Sequence, residues 1–383
     1  MAEKEYVRFF EELSSEDTAQ VGGKNSSLGE MIQTLEGRGV RVPGGFATTA
    51  RAYREFLKTN DLNEKIQEQL DAIQKGGDEA LVKGGKAIRR MINRGKFPEQ
   101  VEKDIRTAYT ELCQRHAQDE VDVAVRSSAT AEDLPGASFA GQQETFLNIS
   151  GDDELLDAVK GCFASLFTDR AITYRNEKGF DHMKVALSVG VQKMVRSDRA
   201  CSGVMFSIDT DTGFPNVVVI NGTWGLGENV VQGTVTPDEF VVFKPFLQEE
   251  NKVPIIQKSC GGKEKKMVYS ARGKETTRNK DTSRKERESL VLNNEEVLQL
   301  ARWAVTIEDH YGMAMDMEWA KDGDTGEVYI VQARPETVQT QKSRQSLKSY
   351  RLKEKGNVIV EGAAIGQAIT NGKTQVIHDP SEK

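Results

Sequence analysis

Asp316 and Glu318 stand two apart on one stretch, and Gln332 and Arg334 stand two apart on the next, within MAMDMEWAKDGDTGEVYIVQARPETV, residues 313–338. Side chains alternate between the faces of a strand, so each pair shares a face. The Asp-Gly and Thr-Gly steps between Lys321 and Glu327 favour a reversal. Folding about that turn sets Glu318 opposite Gln332, within a residue of register. A carboxylate, an amide oxygen and a guanidinium would then share one patch, the set of groups that a Mg²⁺-phosphate site requires. The same residues would equally make a solvated hairpin face with an ordinary salt bridge, and the hairpin alone does not separate the two.

Other stretches carry anion chemistry. In VGGKNSSLGEMIQTLEGRG a glycine pair and Lys24 precede Leu28, Met31, Ile32 and Leu35 at helical spacing. Backbone N–H groups at such a corner face outward, the helix dipole favours an anion, and Lys24 adds a point charge. A Walker A loop is excluded, because Thr18 sits where its first glycine belongs and Asn25 follows the lysine. VDVAVRSS reads as an alternating strand ending at Arg126, and it leads into LPGASFAGQQETFLNI. There Gly136 and Gly141 remove bulk while Ser138 and backbone amides could donate to phosphate oxygens; a plain surface turn has the same composition. Gln192, Lys193, Met194 and Val195 end a further strand with groups suited to an adenine, or merely with a strand end. Gly225-Leu226-Gly227 is not a dinucleotide fingerprint, since the third glycine falls at Gly233. Gly225 to Glu228 reads instead as a tight turn into a short helix.

These residues need elements to hold them. A chain of 383 residues is long enough for two or three domains. The net charge of −7 and pI near 5.5 give no electrostatic case for nucleic-acid or anionic-membrane binding. The opening residues are charged and no apolar run could span a bilayer, which sets the expectation of a soluble, cytoplasmic protein. Cys113, Cys162, Cys201 and Cys260 form no CxxC and read as reduced core thiols. The pattern predicts a short strand at 6–10 and helices near 48–58, 62–74, 79–94, 98–116, 152–166 and 168–178. Strands are predicted at 184–195, 200–208, 216–224 and 238–244, and a helix over 295–311 capped by Asn294 and stopped by Gly312. The polar, mixed-charge stretch 263–288 reads as a mobile surface excursion. A linker follows over 341–356, and 357–383 looks like the start of a further β-rich unit too short to own a core.

Six blocks in order, VGGKNSSLGEM, VRSSATAEDLPGASFAGQQETFLN, SGVMFSIDT, TWGLGENVVQGTVTPDEFVVFKP, HYGMAMDMEWA and YIVQARPETV, resemble the nucleotide-binding domain of the phosphoenolpyruvate synthase (pyruvate, water dikinase) family. Pyruvate phosphate dikinase and rifampicin phosphotransferase carry related domains. The resemblance implies an α+β, ATP-grasp fold over 1–340 with a helical N-terminal part, ATP held between lobes of roughly 1–195 and 196–340, and Mg²⁺ as cofactor. It gives Lys24 and Arg126 the ATP phosphates, Gly136 to Gly141 a closing loop, Thr145 a place near the nucleotide, and Gln192 to Val195 the adenine. Glu318 and Gln332 would bind Mg²⁺ and Arg334 would stabilise the transferring phosphoryl group, with Asp316 and Glu228 as second-rank candidates. In the family a histidine on a swivelling domain accepts this phosphate and carries it to pyruvate on a third domain. None of His116, His182, His310 and His378 has the glycine-rich context of that histidine. The chain therefore resembles the ATP-activating part, with its phosphohistidine and pyruvate-binding domains as partners. The alternatives are the corresponding domain of an antibiotic kinase and a stand-alone ATP-binding module.

Overall fold

The computed structural model describes residues 5–130, 144–270 and 276–336, with a few positions beyond 353. The linker at 341–356 and the unit from 357 onward thus fall almost wholly outside the described residues. In chain order the first part contains β1 (Val7–Phe9), α1 (Thr18–Leu35), β2 (Gly45–Thr48), α2 (Ala50–Thr59), α3 (Leu62–Arg94) and α4 (Glu99–Arg115). It continues with β3 (Val123–Ala129), β4 (Thr145–Ile149), α5 (Asp152–Ser165), α6 (Asp169–Lys178) and β5 (Leu187–Lys193). The second part runs β6 (Cys201–Phe206), β7 (Val217–Trp224), α7 (Glu228–Val231), β8 (Asp238–Phe243), β9 (Ile255–Ser259), β10 (Lys265–Tyr269) and β11 (Thr277–Asp281). It closes with α8 (Arg284–Glu288), α9 (Asn294–Tyr311), β12 (Met315–Lys321) and β13 (Val328–Pro335).

Two antiparallel sheets organise these elements, the mixture of sheets and helices being that of an α+β fold. The first has the order β1-β2-β5-β3-β4, the second β13-β12-β6-β7-β8-β9. The first packs its apolar face on the helices that surround it, with Tyr53, Phe56, Ile66, Ile105, Leu155 and Phe163 meeting Phe46, Val125 and Val189. The second packs on α9 through Leu300, Ile307, Ile220, Phe240, Met317 and Ile330. Helix α1 crosses between them. Its Val21, Leu28, Met31 and Leu35 are buried in the core of the second sheet, each contributing about 1.5–3 kcal/mol of apolar burial. Its start is wedged against the first sheet, where Asn25 Nδ2 donates to Ser188 Oγ at 2.9 Å and to Val21 O at 3.0 Å.

That wedge requires glycine. Gly22 has φ 74° inside α1, and a Cβ there would lie 2.6 Å from the Ser128 carbonyl oxygen. A side chain at this point would push α1 off β3.

Several local expectations change. Residues 62–94 form one helix broken at Gly77, whose φ is 70°. The N-cap of α9 is Asn293, not Asn294: Asn293 Oδ1 accepts from Glu296 N at 2.9 Å and Glu296 Oε2 from Asn293 N at 3.0 Å. This reciprocal pair is a capping box, which the adjacent asparagines made ambiguous by one residue. Strands β2 and β9 were not foreseen, since β2 is four fully buried residues without alternation and β9 is an edge strand with four exposed positions. Cys260 is exposed, so only Cys113, Cys162 and Cys201 are core thiols.

The largest difference concerns 263–288. The expected surface excursion contains regular structure, the antiparallel pair β10–β11 followed by α8, with 271–275 outside the described residues. Its root is a fully buried ion pair between Lys263 and Asp238. Asp238 also accepts from Gly261 N and Val291 N, both at 2.8 Å, so the charge is hydrogen-bonded on several sides. Composition could not reveal this, because the partner of Lys263 lies in β8. Among the described residues no helix is long and apolar enough to cross a membrane.

Gly22→Ala combines a left-handed backbone with steric overlap and should lower unfolding free energy by about 3 kcal/mol or more. Gly39→Ala has φ 85° but open space around its Cβ, and should cost only about 1–2 kcal/mol. Urea denaturation of the two variants checks the order.

Candidate functional site

A cleft of about 800 Å³ lies between the two sheets and draws its walls from both. On one side the β12–β13 hairpin aligns Glu318 with Gln332 and Asp316 with Arg334. Trp319 then faces Ile330, so Val331 is an extra residue on β13. The bulge frees the Val331 carbonyl, which accepts from Arg126 Nη1 at 3.2 Å. Arg126 Nη1 is also 3.5 Å from Glu318 Oε2, so this one guanidinium spans the cleft. Its Nε is buried without a hydrogen-bond partner among the described residues. A buried donor in that state is costly unless a ligand completes it.

Beside it, Lys24 on α1 reaches the same wall and donates to Ser127 O at 3.3 Å. Arg334 gives two bonds to one oxygen, Asp316 Oδ2, from Nε at 2.9 Å and Nη2 at 2.7 Å. Burial pushes the Asp316 carboxyl up, and Arg334 pulls it back down. Thr145 opens β4 directly opposite Arg126 and also lines the cleft. Gly136, Ser138 and Gly141 lie outside the described residues.

At the other end of the cleft stand Gln192, Lys193, Met194 and Val195. The Gln192 side chain turns inward, donating to Pro43 O at 3.3 Å. Met194 joins Ala124, Leu147 and Leu226 in a small apolar cluster against which Met267 and Tyr269 pack. Such a patch suits the faces of a flat, weakly polar ring. Leu226 comes from the Gly225–Glu228 turn, where the Leu226 amide donates to Met267 O at 2.9 Å. Ala124, Leu147, Met267 and Tyr269 were missed by sequence reasoning, while Leu226 lies in the Gly225–Glu228 turn that the sequence set beside the nucleotide. Only Leu226 had a local signal, its place between two turn glycines.

Glu228 begins α7 and lines the cleft. Burial pushes its carboxyl up, Arg126 opposes that shift and Glu318 adds to it. Glu228, Glu318 and the Gln332 amide offer only oxygen donors, a hard set suited to Mg²⁺ and not to a thiophilic metal. Among the described residues no three His, Cys, Asp or Glu side chains cluster as a complete metal cage. A cation here would therefore take further oxygens from a ligand or water.

No histidine among the described residues lines the cleft. His310 Nε2 is 2.9 Å from Glu30, and His182 sits between Arg175 and Asn176, each at 2.8 Å. Burial and the Arg175 charge push the His182 imidazole down to about 4. His378 lies outside the described residues.

A family model described as the pyruvate phosphate dikinase AMP/ATP-binding domain matches residues 18–354. Phosphoenolpyruvate synthase from Synechocystis sp. is 54% identical over 98% of this chain and 47% of its own length. The Escherichia coli K12 phosphoenolpyruvate synthase is 53% identical over 98% of the chain and 47% of the relative. A probable phosphoenolpyruvate synthase from Methanocaldococcus jannaschii is 41% identical over 98% of the chain and 30% of the relative. The chain thus spans about half the length of the first two relatives. With a family model matched over residues 18–354, the chain belongs to the pyruvate phosphate dikinase AMP/ATP-binding domain family.

Proposed function

We propose that this chain binds Mg-ATP in the cleft and donates its terminal phosphoryl group to a histidine on a separate domain, the first half-reaction of phosphoenolpyruvate synthesis from pyruvate, ATP and water. The observation that carries the reading is the single cleft with an apolar patch at one end and Arg126, Lys24 and Arg334 facing Glu318 and Gln332 at the other. That division matches a nucleotide, whose base is flat and apolar-faced and whose phosphates are polyanionic.

In this reading the adenine lies against Met194 and Leu226, within reach of the strand end Gln192 to Val195. Lys24 and Arg126 take the phosphates, and the unpartnered Arg126 Nε supplies a donor for one of their oxygens. Gly136, Ser138 and Gly141 belong to the loop that would close over them, with Thr145 just beyond it at the start of β4. Glu318 and Gln332 would hold Mg²⁺, with Glu228 beside them; when bound, the ion neutralises charge on the phosphate oxygens. Arg334, its guanidinium fixed by Asp316, stabilises charge on the departing phosphoryl group. Phosphoryl transfer asks mainly for such positioned cations, so this domain needs no nucleophile of its own.

We assign the acceptor and the pyruvate site to further domains; the first relatives are about twice this chain's length, which leaves room for them. The relatives reported above carry the synthase name, which favours that acceptor over an antibiotic. We divide the chain into the nucleotide-binding domain over 1–340, a linker over 341–356 and the beginning of a swivelling domain from 357, and assign it to the cytoplasm.

Titration calorimetry with ATP and Mg²⁺ should give saturable one-site binding, and no heat under any Mg²⁺ concentration refutes the proposal. Loss of even an outer partner of a metal ligand costs about tenfold in metal affinity, so Glu318→Ala should abolish the Mg²⁺-dependent gain in ATP affinity. With the partner domains restored, Arg334→Ala should slow histidine phosphorylation by about 10²-fold or more while nucleotide affinity stays within about threefold. Phosphorylation at the wild-type rate would remove Arg334 from its role.

A further inference from the structure

The hairpin that carries Glu318, Gln332 and Arg334 has a second end, the turn Asp322–Gly326, about which the nucleotide reading says nothing. Asp322 is buried there, at 7% exposure. One of its carboxylate oxygens, Oδ1, accepts from Asp324 N at 2.8 Å and Thr325 N at 2.9 Å and closes the turn. The other, Oδ2, reaches out of the turn and accepts from Arg196 N at 3.1 Å. Gly323 N donates back to Arg196 O, also at 3.1 Å. Both backbone groups of Arg196 are therefore held by the tip of the hairpin. The contact is close: a Cβ on Gly323 would lie 2.9 Å from the Arg199 backbone carbon.

Arg196 directly follows the strand end Gln192 to Val195. Its guanidinium binds Asp198 at 2.9 Å from Nε and lies 4.5 Å from the Tyr269 ring centroid. Tyr269 packs against the apolar cluster of the cleft. One residue thus ties together the base-end strand, the β10 strand and the tip of the metal-end hairpin.

We propose that Asp322 and Arg196 form a latch that couples the two ends of the cleft, so that a ligand spanning both is bound better than its halves imply. This rests on the nucleotide reading above. Asp322 touches no nucleotide; it is a positioning residue, acting by preventing the hairpin from shifting along the strand that meets the base. Two subsites joined through one ligand gain affinity only when their spacing is fixed, and a loose hairpin surrenders that gain.

Asp322→Asn separates the latch from the turn. The amide has one oxygen where the carboxylate has two, and it stays with the two turn donors, leaving the NH2 group against the Arg196 N–H. Asp322→Ala removes both sets of bonds. In the 383-residue chain, residue-resolved hydrogen exchange should show Arg196 N–H exchanging about tenfold faster in both variants, with Asp324 and Thr325 accelerated only in the alanine variant. Titrations with Mg-ATP, adenosine and Mg-tripolyphosphate should show ATP affinity falling about tenfold in both variants while each fragment changes less than about twofold. Equal losses for all three ligands would mean a merely structural role and overturn the proposal. So would unchanged exchange at Arg196, or unchanged ATP affinity once that exchange has accelerated. A wild-type chain that binds none of the three refutes the nucleotide reading itself, and the coupling with it.

Discussion

Arg126 holds the two sheets at a fixed separation across the cleft. It stands on β3 of the first sheet and reaches Val331 and Glu318 on the hairpin of the second. A half-buried guanidinium can do this because its planar donors serve several acceptors at once. The arrangement depends on α1, which is packed into the second core by Val21, Leu28, Met31 and Leu35 and pressed onto β3 at Gly22. If α1 moved, Lys24 would leave the wall that Arg126 occupies, and the sheets would lose their common helix.

The electrostatics follow from the same placement. Arg126 and Lys24 enter from the first sheet and α1, while Glu318 comes from the second sheet and Glu228 from α7. Burial and the Glu318 charge raise the cost of ionising Glu228, and Arg126 relieves part of it. Arg334 is treated differently: Asp316 takes two of its donor groups on one oxygen, which fixes the guanidinium plane on the hairpin face. A preorganised charge of this kind does not have to reorient as phosphate charge develops.

The fold was legible wherever a segment's own pattern decided its state. Helix α9 has its period, its cap region and its stopping glycine within twenty residues, and only the asparagine that caps it was misplaced. The 263–288 segment failed for the opposite reason. Its strands are short and half-exposed, and what orders them is the buried Lys263–Asp238 pair, whose two members lie 25 positions apart. The apolar end of the cleft was illegible in the same way, since Leu147, Leu226 and Met267 come from three different elements.

By itself the sequence placed Glu318 opposite Gln332 to within a residue of register, because a two-residue alternation and a turn are local facts; the structure fixed that register and set Asp316 against Arg334. It also determined, through the order of its motifs, the family to which the chain belongs. Only the tertiary structure decided which wall Lys24 and Arg126 share, that a bulge at Val331 gives Arg126 its acceptor, and that Asp322 reaches Arg196. Those contacts join residues that are 103, 205 and 126 positions apart, and no local pattern encodes the packing of two sheets on one helix that brings them together.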